Sequence, residues 1–258
     1  MDLVSLTGAG PGIVIFGFAV AIMAGLIKGV VGFAMPMVLI SGLGSVVTPE
    51  IALAWLILPT LVTNGWQALR QGIGAAWGSL WRFRVFLATG FVFLVTTAQF
   101  VRLIPGSLML LIIGAPITVY ALTTLAGRPL KLPANPSHRV EGMIGAVAGF
   151  FGGISGVWGP PTVALLTAMD TEKNEQMRVQ GVIYGTGALA LVGAHLASGV
   201  LNADTAPMSA LLALTAAFGI WVGFQIQDRI DQTAFRKLTL IVLLIAGLNL
   251  VRRGVMGI

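Results

Sequence analysis

The sequence predicts an all-α polytopic membrane protein of two inverted-topology repeats, each a Gly/Pro-broken helical hairpin followed by three transmembrane helices. Three observations predict it. Charged residues make up only 9% of the 258 residues and hydrophobic residues 57%, whereas a soluble domain carries about 25% charged residues. The mean hydropathy is +0.95. The apolar residues fall into eight continuous stretches, near 12–44, 50–68, 85–101, 105–126, 140–169, 179–198, 206–224 and 236–251, and the two longest share one Gly/Pro pattern.

Six stretches suit a single bilayer crossing, which takes about 20 residues as a helix. None has the alternation of a barrel strand. The 34 Gly and 12 Pro fit membrane helices, where neighbouring helices and polar side chains satisfy the freed backbone groups. Residues 12–44 and 140–169 are too long for one crossing. Residues 1–12 hold one Asp and no Lys or Arg, so the N-terminus is expected to be mature sequence and not a secretory signal, which begins basic.

The two long stretches match. Gly25, Gly29, Gly32 and Pro36 recur as Gly149, Gly153, Gly156 and Pro160, with Gly149 standing 124 positions after Gly25. An internal duplication accounts for this, with repeats at 1–127 and 140–258 joined by a polar, Pro-rich linker at 128–139. Chance similarity in Gly-rich membrane sequence is the alternative.

Loop charges decide how the long stretches run. If each crosses once, the Lys and Arg divide eight against six between the two faces. If each enters and returns, Lys173, Arg178, Arg229, Arg236 and Lys237 join Arg70, Arg82, Arg84, Arg128, Lys131 and Arg139. The division is then eleven against three, with only Arg102, Arg252 and Arg253 opposite and Lys28 uncounted at a hairpin bend. The positive-inside rule favours the hairpins. Both termini are then periplasmic, the linker is cytoplasmic, and the halves enter from opposite sides, as in many secondary transporters. Each hairpin arm is expected to hold about 16 residues, or about 24 Å of helix, short of the roughly 30 Å core.

Broken backbone at membrane depth survives only beside protein or a water-filled cavity, and half-helix N-termini favour anions. The helix-break candidates are Gly25, Pro36, Gly149, Pro160 and Pro161. The substrate-binding candidates near the breaks are Lys28, Gly29, Gly32, Gly153, Ser155, Gly156 and Trp158. Lys28 interrupts an otherwise apolar run; it either supplies positive charge to an anion or snorkels to an interface. The glycines let backbone approach a ligand or let helices approach each other. Ser155 and Trp158 offer a hydroxyl and an indole N–H to oxyanion oxygens, or Trp158 is a wedge. Asn64, Arg178 and His195 complete the candidates. Arg178 is either an oxyanion partner or an interface anchor. Asn64 and His195, like Gln67, Gln180 and Tyr184, either line a path or bond a neighbouring helix.

Other classes are disfavoured. No Asp or Glu stands deep in a stretch, which argues against a carboxylate proton relay. The chain has no Cys and two separated His, so neither a metal site nor a cofactor is expected. No Walker sequence, nucleophile elbow or H-E-x-x-H occurs. An enzyme and a nucleic-acid binder are therefore not expected; the +6 charge belongs to loops that orient the chain in the bilayer.

The stretch Gly25 to Pro36 with Lys28, the stretch Gly149 to Pro161, and Lys173 to Arg178 followed by a span ending near His195 and Gly199 resemble the TauE/SafE family, the sulfite exporter-like permeases also called the toluene-sulfonate uptake permease family. The resemblance covers nearly the whole chain. Val30, Val31, Ala34 and Met35 stand where many members carry further Gly. The resemblance implies a multi-pass bacterial inner-membrane permease for small sulfur-containing anions such as sulfite, sulfoacetate or other organosulfonates, working by alternating access. An anion channel or a small-carboxylate transporter is the alternative. The expected partners are the anion, the lipid bilayer, an H+ or Na+ coupling ion and, as an open question, a second copy of the chain.

Overall fold

The computed structural model describes residues 10–98, 106–129, 132–133, 136–155 and 159–257. Among these residues there are eleven helices and no strands: α1 Pro11–Val31, α2 Met35–Leu43, α3 Pro49–Leu69, α4 Ile73–Arg82, α5 Arg84–Ala98, α6 Gly106–Leu125, α7 His138–Ser155, α8 Gly159–Ala168, α9 Lys173–Ala197, α10 Ala206–Arg229 and α11 Gln232–Met256. Helices α1, α3, α9, α10 and α11 are long and apolar enough to cross a membrane. The pair α4 and α5, bent by 68°, makes a sixth crossing if taken as one span. The chain divides into two compact units, Met1–Ala76 with Met177–Asp231 and Trp77–Gln176 with Gln232–Ile258. Each draws on both halves of the sequence.

In the first unit, α1 ends at Gly32, whose φ of 89° is left-handed and whose N–H donates to the Lys28 carbonyl at 2.6 Å. A left-handed residue just past the last turn satisfies a carbonyl the helix leaves open. Ala34 is also left-handed, at φ 74°, and Pro36 in the first turn of α2 starts the next helix. The chain then doubles back, since a methyl at Gly42 would strike Val20 and one at Gly17 would touch Leu43. This is an entering and returning hairpin, as the loop charges predict.

The arms are unequal, against the expectation of about 16 residues in each. Helix α1 has 21 residues and α2 only 9, so α1 has the length to cross while α2, about 14 Å long, is too short to do so. The break is fixed by left-handed Gly32 and Ala34 and by Pro36 in the first turn of α2, which has no N–H to carry a helix on from α1. Gly25 lies within uninterrupted helix and not at a break. Lys28 is likewise in the last turn of α1 and not at the bend.

Helix α3 carries Pro59, which has no N–H for the carbonyl four residues back. That carbonyl, Trp55 O, accepts instead from Ser209 Oγ of α10 at 3.1 Å, and Ser209 Oγ accepts from Leu58 N at 3.2 Å. Helix α10 runs parallel to α1 against its glycines: a methyl at Gly25 would collide with Ala216 O, and one at Gly29 with Ile220 O and the Gly223 backbone. Arg70 bonds Gln227 at 2.9 Å and Asp228 at 2.5 Å, and Arg178 bonds Gln71. Arg70, Arg178 and Arg229 therefore share one end of this unit.

The second unit repeats the device. A methyl at Gly149 of α7 would collide with Gly90 O of α5, and one at Gly145 with Thr89 and Phe86, so α5 and α7 also run parallel through a glycine contact. Gly149 is inside continuous α7, again not at a break. Pro160 and Pro161 are buried in the first turn of α8. The Ala168 carbonyl at the end of α8 accepts from Leu132 N at 2.7 Å, so the second hairpin returns toward the side where α7 begins. Its arms hold 18 and 10 residues. Arg236 pairs with Asp170 at 2.7 Å and Arg82 with Glu141 at 3.4 Å. Glu141, in the first turn of α7 at the end of its apolar stretch, is buried. Helices α6 and α11 run antiparallel through Gly114, Gly247 and Gly254.

Candidate functional site

Four elements of the first unit bring polar side chains to the hairpin break. Lys28, in the last turn of α1, is 1% exposed. Its ammonium donates to Asn64 Oδ1 of α3 at 2.5 Å and lies 5.7 Å from the centre of the Tyr184 ring of α9. Among the described residues no carboxylate is within ion-pair distance of it. Gln67, one turn beyond Asn64, donates from Nε2 to Gly32 O at 3.1 Å and to Met177 O at 2.8 Å. Its Oε1 is buried without a hydrogen-bond partner. The Gln180 carbonyl fills the space where a methyl at Gly32 would stand. Thr63 donates to Met35 Sδ at 3.4 Å, at the N-terminus of α2.

The spacing explains the convergence. Asn64 and Gln67 are three apart on α3, and Gln180 and Tyr184 four apart on α9, so each pair shares a helix face. Gly181, on α9 between them, lets the backbones of α3 and α9 touch: a methyl there would strike Ala68 N. The left-handed Gly32, four residues after Lys28, caps the Lys28 carbonyl with its N–H and turns the chain toward α2.

The chemistry follows from donors and charge. An ammonium has three donors and no acceptor, and Asn64 takes one of them. Burying a cation beside neutral groups costs several kcal/mol. A small anion about 4 Å away recovers about 4 kcal/mol at an effective dielectric constant of about 20. The set is thus electrostatically incomplete in the sense an anion would complete.

A model of the family described as sulfite exporter TauE/SafE matches residues 17–250. The chain belongs to the sulfite exporter TauE/SafE family. No curated protein and no solved structure matches it. As a TauE/SafE chain with these apolar helices, it is a multi-pass membrane transport protein.

Of the site residues expected in this TauE/SafE chain, Lys28, Asn64 and Gly32 come together. Gly29 faces α10, where it serves helix contact. Arg178 bonds Gln71 at the end of the unit, about 9 Å along α9 from Tyr184. His195 is about 16 Å from Tyr184 in the other direction, its Nδ1 buried without a hydrogen-bond partner. Gly153 and Ser155 fall in the last turn of α7, in the second unit, while Gly156 and Trp158 lie outside the described residues. Gln67, Gln180 and Tyr184 join the cluster although each, read singly, is as good a helix contact. The available signal was spacing: Gln67 shares a face of α3 with Asn64, and Gln180 shares one of α9 with Tyr184.

Proposed function

We propose that the chain is a secondary permease that exports small sulfur oxyanions, sulfite or organosulfonates such as sulfoacetate, across the inner membrane by alternating access. One observation carries the reading: a fully buried ammonium whose described partners are neutral, set against the break of a membrane hairpin in a sulfite exporter family chain. The anion is held by Lys28, Asn64 and the half-helix N-terminus of α2, because sulfur oxyanions offer several acceptor oxygens to such donors.

Lys28, Asn64, Gln67 and Gln180 are shut away from solvent. An occluded site favours a carrier over an open channel, since loading it requires the break at Gly32–Ala34 to open. The membrane potential assists export of an anion, by about 2.3 kcal/mol per charge per 100 mV. On this reading the end of the first unit that carries Arg70, Arg178 and Arg229 faces the cytoplasm. The matched contacts of Gly25 on α10 and Gly149 on α5 support a duplication in which each hairpin packs on a helix from the other half of the sequence.

The test is flux in vesicles containing only this protein. Saturable uptake of labelled sulfite with counterflow is expected. Ohmic current without counterflow would make it a channel, and preference for acetate over sulfite and sulfoacetate would reassign the substrate.

A further inference from the structure

We propose that α4 lies along the membrane surface and that the pocket at its C-terminal end holds the headgroup of an anionic phospholipid. Ile73, Trp77 and Trp81 stand four residues apart and so share one helix face. All three are exposed, at 79%, 65% and 60%. Helix α4 has ten residues, about 15 Å, too short to cross, and it meets the apolar α5 at 68°. An indole prefers the headgroup level of a bilayer. A short helix with an aromatic stripe, ending in arginine and turning sharply into an apolar helix, has the layout of an interfacial segment.

The pocket is an open cavity of about 410 Å³ lined by Gly78, Trp81, Arg82, Arg84, Pro136 and His138. Arg84 Nη1 donates to Trp81 O at 2.9 Å, and its guanidinium lies 5.0 Å from the centre of the Trp81 ring. Cation and indole are thus fixed side by side. The Glu141 carboxylate pairs with Arg82 at 3.4 Å and lies 3.7 Å from His138 Nδ1. With that charge matched, exposed Arg84 leaves the pocket net positive. A phosphodiester supplies acceptor oxygens for a guanidinium and an imidazole. The adjoining indoles offer apolar ground to acyl chains, which a free phosphate would not use.

Native mass spectrometry of the full chain, titrated with dioleoyl phosphatidylglycerol, dioleoyl phosphatidylcholine or inorganic phosphate, tests this. Phosphatidylglycerol is expected to bind about tenfold more tightly than phosphatidylcholine. Arg84→Gln is expected to erase most of that preference, and Arg84→Lys, which keeps the charge, to retain it. Equal binding of the two lipids, or an undiminished preference in Arg84→Gln, overturns the site. Millimolar inorganic phosphate that displaces phosphatidylglycerol overturns the lipid assignment in favour of a free-phosphate site.

Discussion

Lys28 Nζ stands 2.5 Å from Asn64 Oδ1, a cation bonded to a neutral amide at a depth where a carboxylate would be the ordinary partner. Giving Lys28 its own counter-ion should therefore compete with the substrate. Asn64→Asp is expected to keep or raise thermal stability while lowering sulfite affinity about tenfold or more, since a charge-assisted bond is worth about 1.5–3 kcal/mol. Calorimetric binding together with a melting curve checks this; unchanged affinity would remove Asn64 from the site.

Ser209 replaces the N–H that Pro59 lacks. Ser209→Ala should destabilise by about 1–3 kcal/mol, because the Trp55 carbonyl loses its donor. In a Pro59→Ala background the helix regains that N–H, and the same change should cost clearly less. Melting of the four proteins in detergent measures the coupling; additive effects would mean that Ser209 does not serve the proline break.

Much of this architecture was legible beforehand. Every apolar stretch became one or more helices, and loop charge pointed to the hairpins because a reversal assigns Lys173, Arg178 and Arg236 to the same face as Arg70 and Arg82. The arm lengths were not legible. Gly25, Gly29 and Gly32 look alike in a sequence, but only Gly32 adopts the left-handed turn, while the other two lie against α10. The site was half legible. Lys28 announces itself by charge, but an amide such as Gln67 reads the same whether it bonds a helix or a ligand until its neighbours across space are known.

The glycine contacts should tolerate no side chain. Gly25→Val and Gly149→Val are each expected to cost about 3 kcal/mol or more, since backbone must move. Gly193→Ala, with nothing within 4 Å of the added methyl, should be neutral or stabilise slightly. Monodispersity on size exclusion after graded heating separates the two classes.

Orientation follows from the basic ends. The chain has no Cys, so single cysteines report cleanly. Ala203→Cys is exposed between α9 and α10, at the opposite end of the first unit from Arg70, and Ser137→Cys is exposed just before α7. A membrane-impermeant maleimide should label position 203 in spheroplasts and position 137 only in inverted vesicles. The reverse pattern would invert the topology.

The central claim is that the Lys28 ammonium holds the transported anion. Equilibrium binding of sulfite to purified Lys28→Ala, Lys28→Met and wild type, each shown to be monodisperse, tests it most directly. Affinity is expected to fall about tenfold to a hundredfold in both variants. Binding in Lys28→Met as tight as wild type would contradict the account.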